Sequence, residues 1–549
     1  MELYDIYIIA ATAVGSVLLF LLADFAQKVA TPKWRIVYFV PFALCLVLTA
    51  SIGFEIRMLP AYIAAILPLA GFLKGDKKPR KFSCAAAAVL CLVSLPLCML
   101  IPGYRSFDYS KDFQKGFTAM KNRYVLSYHK QVDWDALYKE YLPRFRAAND
   151  DIDALIAWKQ FCAEFHDGHV GYFPADATTD EKYENMCREA YKRLGVNNYG
   201  LSMLTLSDGS AAAVNVDASL NSLGIHNGTV ITAWDGEDVF AAAENSVVFS
   251  CVCYPDIDNE KFFLPAFAAC TGGETVSVSF IDDGGSERTE TLRLLGDGYD
   301  RLNDTLKAVT QGYPAANFEW ADIDESTVLL RIKSMQYDSV SSQNENYDRM
   351  KQQLTEACAE NLKNGKTNLI IDLRSNSGGS GLLVKALGEV FSPPGEHFYC
   401  CDGTWDTKTL SYRYDEDSGT FPISATNTFV GENRWQGNKI LILVNSDSIS
   451  AADHLVTIMR GLENVTVMGF TETNGSAQGV GQLPLERGTL SFSGSLVLNA
   501  DGTPFVDTGA DRESGNDIDI RVPLDSQAVT AIFDKGEDYL LSKAVEFFG

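Results

Sequence analysis

The spacing of apolar residues changes three times along the chain, and each change marks a different kind of structure. Apolar residues are nearly continuous from about Ile6 to Leu22, Val37 to Phe54, Leu59 to Leu73 and Ser83 to Ile101, against the roughly 20 residues that cross a bilayer. The third run is short, and its alternative is a re-entrant or interfacial hairpin. Glu2 and Asp5 precede the first run and no small-x-small site follows it, which favours a retained span over a cleaved signal peptide. From Phe107 to Arg193 the spacing becomes helical and polar. From Tyr199 to Arg293 it becomes short alternating strands bounded by turns. Beyond Asp304, apolar strands alternate with amphipathic helices, the pattern of an α/β core.

The expected organisation is therefore multidomain: an N-terminal four-helix transmembrane region over 1–104, a small helical domain over 105–196, a β domain over 197–300 and an α/β core over 304–549. Charge adds an orientation. Residues 1–104 hold nine Lys/Arg against five Asp/Glu, leaving 37 against 66 for the remainder of a chain whose formal net charge is −25. Lys28, Lys33 and Arg35 follow the first run, and Lys74, Lys77, Lys78, Arg80 and Lys81 lie between the third and fourth. The positive-inside rule makes both loops cytoplasmic. The expectation is an integral protein of the plasma membrane, in contact with the lipid bilayer, whose catalytic region is extracytoplasmic; with three spans that region would face the cytoplasm. The acidic remainder repels phosphate backbones and argues against a nucleic-acid partner.

Cysteine spacing brings no metal chemistry, because no C-x-x-C pair is present. Cys251 with Cys253, and Cys400 with Cys401, are candidates for disulfides in an oxidising compartment. No motif demands a metal or an organic cofactor.

In the helical region, Asp133 is placed to cap the segment from Trp134, and the periodicity of Ile152 to Phe165 ends in His166-Asp167-Gly168-His169. Asp-Gly is a turn signal, which sets His169 at the mouth of the apolar Val170 to Phe173. A histidine there is by itself more often a structural hydrogen-bonder than a catalyst. In the β region, Gly224, the Asn227-Gly228 pair and Asp235-Gly236 mark turns around the strand Val230 to Trp234.

The α/β core carries the strand Asn368 to Arg374, which runs into Ser375-Asn376-Ser377-Gly378-Gly379-Ser380. Paired glycines after a buried strand allow a backbone to approach a ligand and aim its amides at an oxygen, though a plain turn would use them too. The strand Lys439 to Asn445 leads into Ser446-Asp447-Ser448-Ile449-Ser450 and a helical run. A serine at such a junction exposes its hydroxyl at the positive end of a helix; its commoner use is as an N-cap. His454, one turn along from Ser450, is not expected to be the base, since it would occupy the space a substrate needs.

These two segments resemble the hallmark segments of carboxyl-terminal-processing, or tail-specific, serine peptidases, and Tyr199 to Arg293 resembles a PDZ domain. The similarity runs over about 107–549 and excludes the membrane runs. It implies Ser450 as nucleophile and the amides of Gly378, Gly379 and Ala451 as oxyanion hole. It also implies that Gly200, Leu201, Ser202 and Met203 bind a peptide's terminal carboxylate. The Ser/Lys members carry their base in a Thr-x-Gly-Lys turn, where this chain has Thr473-Asn474-Gly475-Ser476. The other branch, similar to tricorn-core peptidases, uses Ser, His and Glu, and its positions are matched by His169 and Glu513, with Asp511 or Asp517 as alternatives to the latter.

Two functions follow as expectations. One is a membrane-anchored serine endopeptidase that hydrolyses protein or peptide substrates through an acyl-enzyme. The other is a catalytically inactive peptide-binding or sensory module on the same fold.

Overall fold

The computed structural model describes residues 107–310, 317–336, 341–506, 509 and 514–549. Three helices open it: α1 (Tyr109–Arg123), α2 (Trp134–Ala147) and α3 (Asp151–Ala163). The Asp133 carboxylate accepts from Ala136 N, and that of Asp150 from Ile152 N and Asp153 N, so each helix start satisfies amides that would otherwise lack partners. Their shared face is aromatic: Phe113 stacks on Phe145 at 4.4 Å and meets Phe161 edge-on at 5.4 Å. The chain then turns through Asp167–His169 into β1 (Gly171–Pro174) and α4 (Asp180–Arg193).

The second region contains β2 (Ser202–Thr205), β3 (Ala211–Val214), β4 (Val230–Trp234), α5 (Ile257–Ala268), β5 (Thr275–Ile281) and β6 (Glu287–Arg293). The strands form an antiparallel sheet in the order β2-β3-β4-β5-β6, with Glu237–Asp238 beside β4. Asp235 and Gly236 both take positive φ, +53° and +84°, as a two-residue hairpin turn requires. Helix α5 lies against the edge strand β2, where Thr205 Oγ1 donates to the Lys261 carbonyl at 2.6 Å.

Helix α6 (Tyr299–Thr310) leads to the core. There β7 (Phe318–Asp322), β8 (Thr327–Ile332), α7 (Gln343–Lys363), β9 (Asn368–Asp372) and α8 (Gly381–Phe391) follow in order. An antiparallel arm, β10 (Gly395–Gly403) with β11 (Ile423–Gly431), precedes β12 (Lys439–Leu443), α9 (Ala451–Met459) and β13 (Val465–Gly469). The chain closes with β14 (Gly479–Pro484), β15 (Gly488–Ser495), β16 (Ile520–Arg521) and α10 (Tyr539–Phe548).

The central sheet runs β7-β8-β9-β12-β13-β16, parallel except for β7. Parallel strands covered on both faces are apolar on both, and successive residues divide between two cores. Leu330, Ile371 and Ile442 pack with Met350, Leu387 and Leu455 of α7, α8 and α9. Leu329, Ile370 and Leu441 share a core with Phe263, Phe280 and Leu540 on the other side. A buried ion pair closes one strand end: Arg374 bonds Asp372 at 2.7 Å and Asp538, the cap of α10, at 2.8 Å.

A second joint matters more for chemistry. β1, from the helical region, pairs antiparallel with β15, which pairs with β14. The Asp112 carboxylate of α1 accepts from the amides of Glu486 and Arg487 in the turn between those strands. Residues near 169 are thereby carried onto the α/β core.

The fold class expected from sequence is corrected in one part. The described residues form an α/β core with a helical N-terminal region and an antiparallel β region, and among them no helix is long and apolar enough to cross a membrane. The one 21-residue helix, α7, is a polar surface helix with a charged outer face. The four runs assigned to 1–104 lie outside the described residues. A four-helix transmembrane region is therefore not part of the fold established here, and the integral-membrane localisation with an extracytoplasmic catalytic region is corrected with it. The eight described cysteines are free thiols; Cys400 and Cys401 are strand neighbours whose side chains leave opposite faces of β10.

Candidate active site

The two glycine- and serine-bearing loops leave the carboxyl ends of adjacent parallel strands, β9 and β12, where open α/β sheets place their ligands. Side-chain and backbone hydrogen bonds lock one loop to the other. Ser448 Oγ donates to the Leu373 carbonyl at 2.8 Å, Ser375 N donates to Asn445 Oδ1 at 2.9 Å, and Ile449 N donates to the Asn376 carbonyl at 3.0 Å. Ser448 is fully buried in this role, so its hydroxyl belongs to the scaffold.

Ser450 occupies the N-cap position of α9, half-buried, with φ +64° and ψ −112°. A non-glycine residue in that region costs about 1–3 kcal/mol and persists only where its surroundings enforce it. Here the enforcement comes from Asp453, which is buried and accepts from Ser450 N at 2.9 Å and from Gly475 N at 3.2 Å. Burial raises its carboxyl to about 7, against the lowering effect of these hydrogen bonds. His454 takes no part. Its Nε2 lies 3.0 Å from the Tyr399 carbonyl, its ring packs between Tyr399 and Phe505, and burial lowers it to about 4.

The paired glycines divide their work. Gly378 packs on the nucleophile's backbone: a Cβ there would lie 2.6 Å from Ser450 Cβ and 3.1 Å from Ala451 N. Its own amide donates to Asn376 Oδ1 at 2.9 Å, so it is not available to an oxyanion as the sequence reading had it. Met335 bonds the residues on either side of Gly379, donating to the Gly378 carbonyl and accepting from Ser380 N, each at 2.7 Å. The Gly379 amide therefore points away from Met335. Ala451 N heads α9 beside it.

The histidine arrives from the other direction. The Asp167 carboxylate, buried, accepts from Tyr124 Oη at 3.0 Å, Ser493 Oγ at 2.8 Å and His169 N at 2.8 Å. Gly168 N donates to Ser476 Oγ at 2.8 Å, and a Cβ on Gly168 would come within 2.8 Å of Ile449 Cδ1. The residues after these two contacting neighbours are His169 and Ser450. His169 is buried, neither ring nitrogen has a hydrogen-bond partner among the described residues, and burial lowers its pKa while Asp167 opposes the shift.

His169, Gly379, Ile449 and Ser450 line one groove of about 700 Å³. Phe173, Val480, Gln482 and Ser491, which share a face of the β1-β15-β14 sheet, also line it, as do Met335, Gln343, Ser380 and Leu383. Gly200, Leu201, Ser202 and Met203 lie elsewhere, at the edge of the antiparallel sheet. Glu513 and Asp511 fall outside the described residues. Asp517 faces solvent and pairs with Arg460 at 2.9 Å, which removes it as the alternative partner of His169. Sequence reasoning missed Asp167 and Ser476 as the clamps of the histidine loop, although both stand inside the motifs that were read.

Residues 326–513 match the family model described as Peptidase family S41. This match supports a serine peptidase acting on protein or peptide substrates. No curated protein matches the chain. Among solved structures, mature CPAF complexed with lactacystin is 13% identical, with a TM-score of 0.47, over 80% of this chain and 97% of its own. The photosystem II D1 C-terminal processing protease is also 13% identical, with a TM-score of 0.34, over 78% and 98%. The tricorn protease is 14% identical, with a TM-score of 0.36, over 80% and 36%.

Proposed function

We propose that the chain is a serine endopeptidase of the carboxyl-terminal-processing type working by a Ser-His-Glu mechanism. Ser450 Oγ attacks a peptide carbonyl as His169 takes its proton. The amides of Gly379 and Ala451 hold the oxyanion. Collapse of the intermediate breaks the C–N bond, the leaving amine takes the proton from His169, and water, activated by the same ring, releases the acyl group from Ser450. Glu513 orients the imidazole in this scheme, on the strength of the motif alone.

The observation that supports the reading is that His169, Gly379 and Ser450 line one groove. A lowered histidine pKa leaves the ring neutral near pH 7, the form a general base needs. One observation favours the inactive alternative: His169 makes no hydrogen bond to Ser450. Bonds of this kind are often long without substrate and tighten in the complex. Hydrolysis of a casein digest by the full chain, followed by mass spectrometry, decides between them. Cleavage that disappears in both Ser450→Ala and His169→Ala supports the peptidase; cleavage unchanged in either removes that residue from the mechanism.

A further inference from the structure

We infer that Asp256 and Asn259, at the start of α5, are positioning residues for Ser450, which makes the antiparallel β region a working part of the catalytic site. The inference rests on the hydrolytic reading above and deepens it with two residues from outside the family match over 326–513.

Both side chains reach out of their own region at one point. Asp256 caps α5 with Oδ1, which accepts from Asp258 N at 2.9 Å and from Asn259 N at 2.8 Å. A cap needs no more than that. Its second oxygen, Oδ2, accepts from Gly515 N at 3.1 Å, across 259 residues of sequence. Asn259 Nδ2 donates to the Thr473 carbonyl at 2.8 Å. Both residues are buried, and Asn259 Oδ1 is buried with no hydrogen-bond partner among the described residues. An amide there bears a desolvation cost that an apolar residue such as Phe263, one turn further along α5, does not. The bond to Thr473 is what an apolar side chain could not supply.

The loops held in this way lead to the nucleophile. Residues 473–475 and 514–516 pack backbone against backbone: a Cβ on Gly515 would lie 2.3 Å from the Thr473 carbonyl oxygen, and one on Gly475 would lie 2.8 Å from the Ser514 carbonyl carbon. Asn516 N donates to Thr473 Oγ1 at 2.6 Å, and Asn516 Nδ2 donates to the Asp453 carbonyl at 3.1 Å. Gly475 N and Ser450 N both donate to the Asp453 carboxylate, the group that holds Ser450 at φ +64°. A displacement of either loop therefore reaches Ser450 through Asp453, by its carboxylate or by its carbonyl.

The test compares the full chain with Asp256→Asn, which keeps an oxygen for the cap, and with Asn259→Leu, which keeps the burial. Each should lower kcat and the rate of fluorophosphonate labelling of Ser450 about tenfold or more, with KM within about twofold and the circular dichroism spectrum unaltered. Asp258→Asn, in the same turn, removes an exposed ion pair with Arg521 and should leave both rates as they were. Rates within about twofold of the unaltered chain in either Asp256→Asn or Asn259→Leu would overturn the assignment of that residue and leave the peptidase intact. A loss fully matched by the unfolded fraction would make the residues structural and overturn the inference. Absence of Ser450-dependent cleavage and labelling in the unaltered chain overturns the hydrolytic reading and the inference together.

Discussion

Ser476 Oγ accepts the amide of Gly168 at 2.8 Å, across 308 residues of sequence. The position that a Ser/Lys peptidase would give to its basic lysine is used here to hold the loop that carries a histidine. Ser476→Ala removes this acceptor, at about 1–3 kcal/mol for the buried amide. We expect kcat to fall more than KM rises, with the fold retained by circular dichroism. Ser476→Lys does not create a lysine base, because the site is fully buried and Gly168 fills the space ahead of it. Peptide hydrolysis by Ser476→Lys combined with His169→Ala, at a rate near the unaltered chain's, would contradict this.

Gly378 should tolerate no side chain. With φ +79° and Ser450 Cβ 2.6 Å from where its own Cβ would stand, alanine displaces the nucleophile. A shift on the order of 1 Å costs about a hundredfold in rate. Steady-state kinetics of Gly378→Ala should show that loss in kcat; a kcat within about threefold of the unaltered chain would mean that the close approach has no part in positioning.

The pH profile reports the base. Burial lowers the His169 pKa, and the neutral ring is the active form, so kcat/KM should rise with pH through a midpoint below the ordinary value of about 6.5. Removing a general base costs about 10²- to 10⁴-fold. His169→Gln should show that loss and lack the acid limb; a limb that persists in this variant belongs to another group.

How far the sequence reveals this site depends on distance along the chain. The strands read as 368–374 and 439–445 end two residues early, at Asp372 and Leu443. Arg374 and Asn445 have left the ladder to make the ion pair and the inter-loop bonds of the site. The Asp167 clamp was not legible: its acceptor sites are filled by Tyr124, 43 residues away, and Ser493, 326 residues away. The apolar runs before residue 105 reveal composition alone, and no described helix carries them into the fold.

Asp453 links stability to pH. Its folded pKa is raised from 3.8 to about 7 by burial, so between those values the folded chain holds a proton that the unfolded chain has released. Its contribution is full below the unfolded value and is lost as pH rises through about 7. Urea unfolding at about pH 5 and about pH 8 should show a decline with pH that Asp453→Asn lacks. The variant should also lose activity, since an amide nitrogen would face the Ser450 or Gly475 N–H. An identical pH dependence in the two proteins would remove Asp453 as its source.

The central claim is that Ser450 is an activated nucleophile. Treating the full chain with a fluorophosphonate and mapping the adduct by mass spectrometry tests it most directly. The account predicts one adduct on Ser450, absent from Ser450→Ala and formed far more slowly in His169→Ala. Equal labelling of the unaltered chain and Ser450→Ala, or an adduct on another serine, would contradict it.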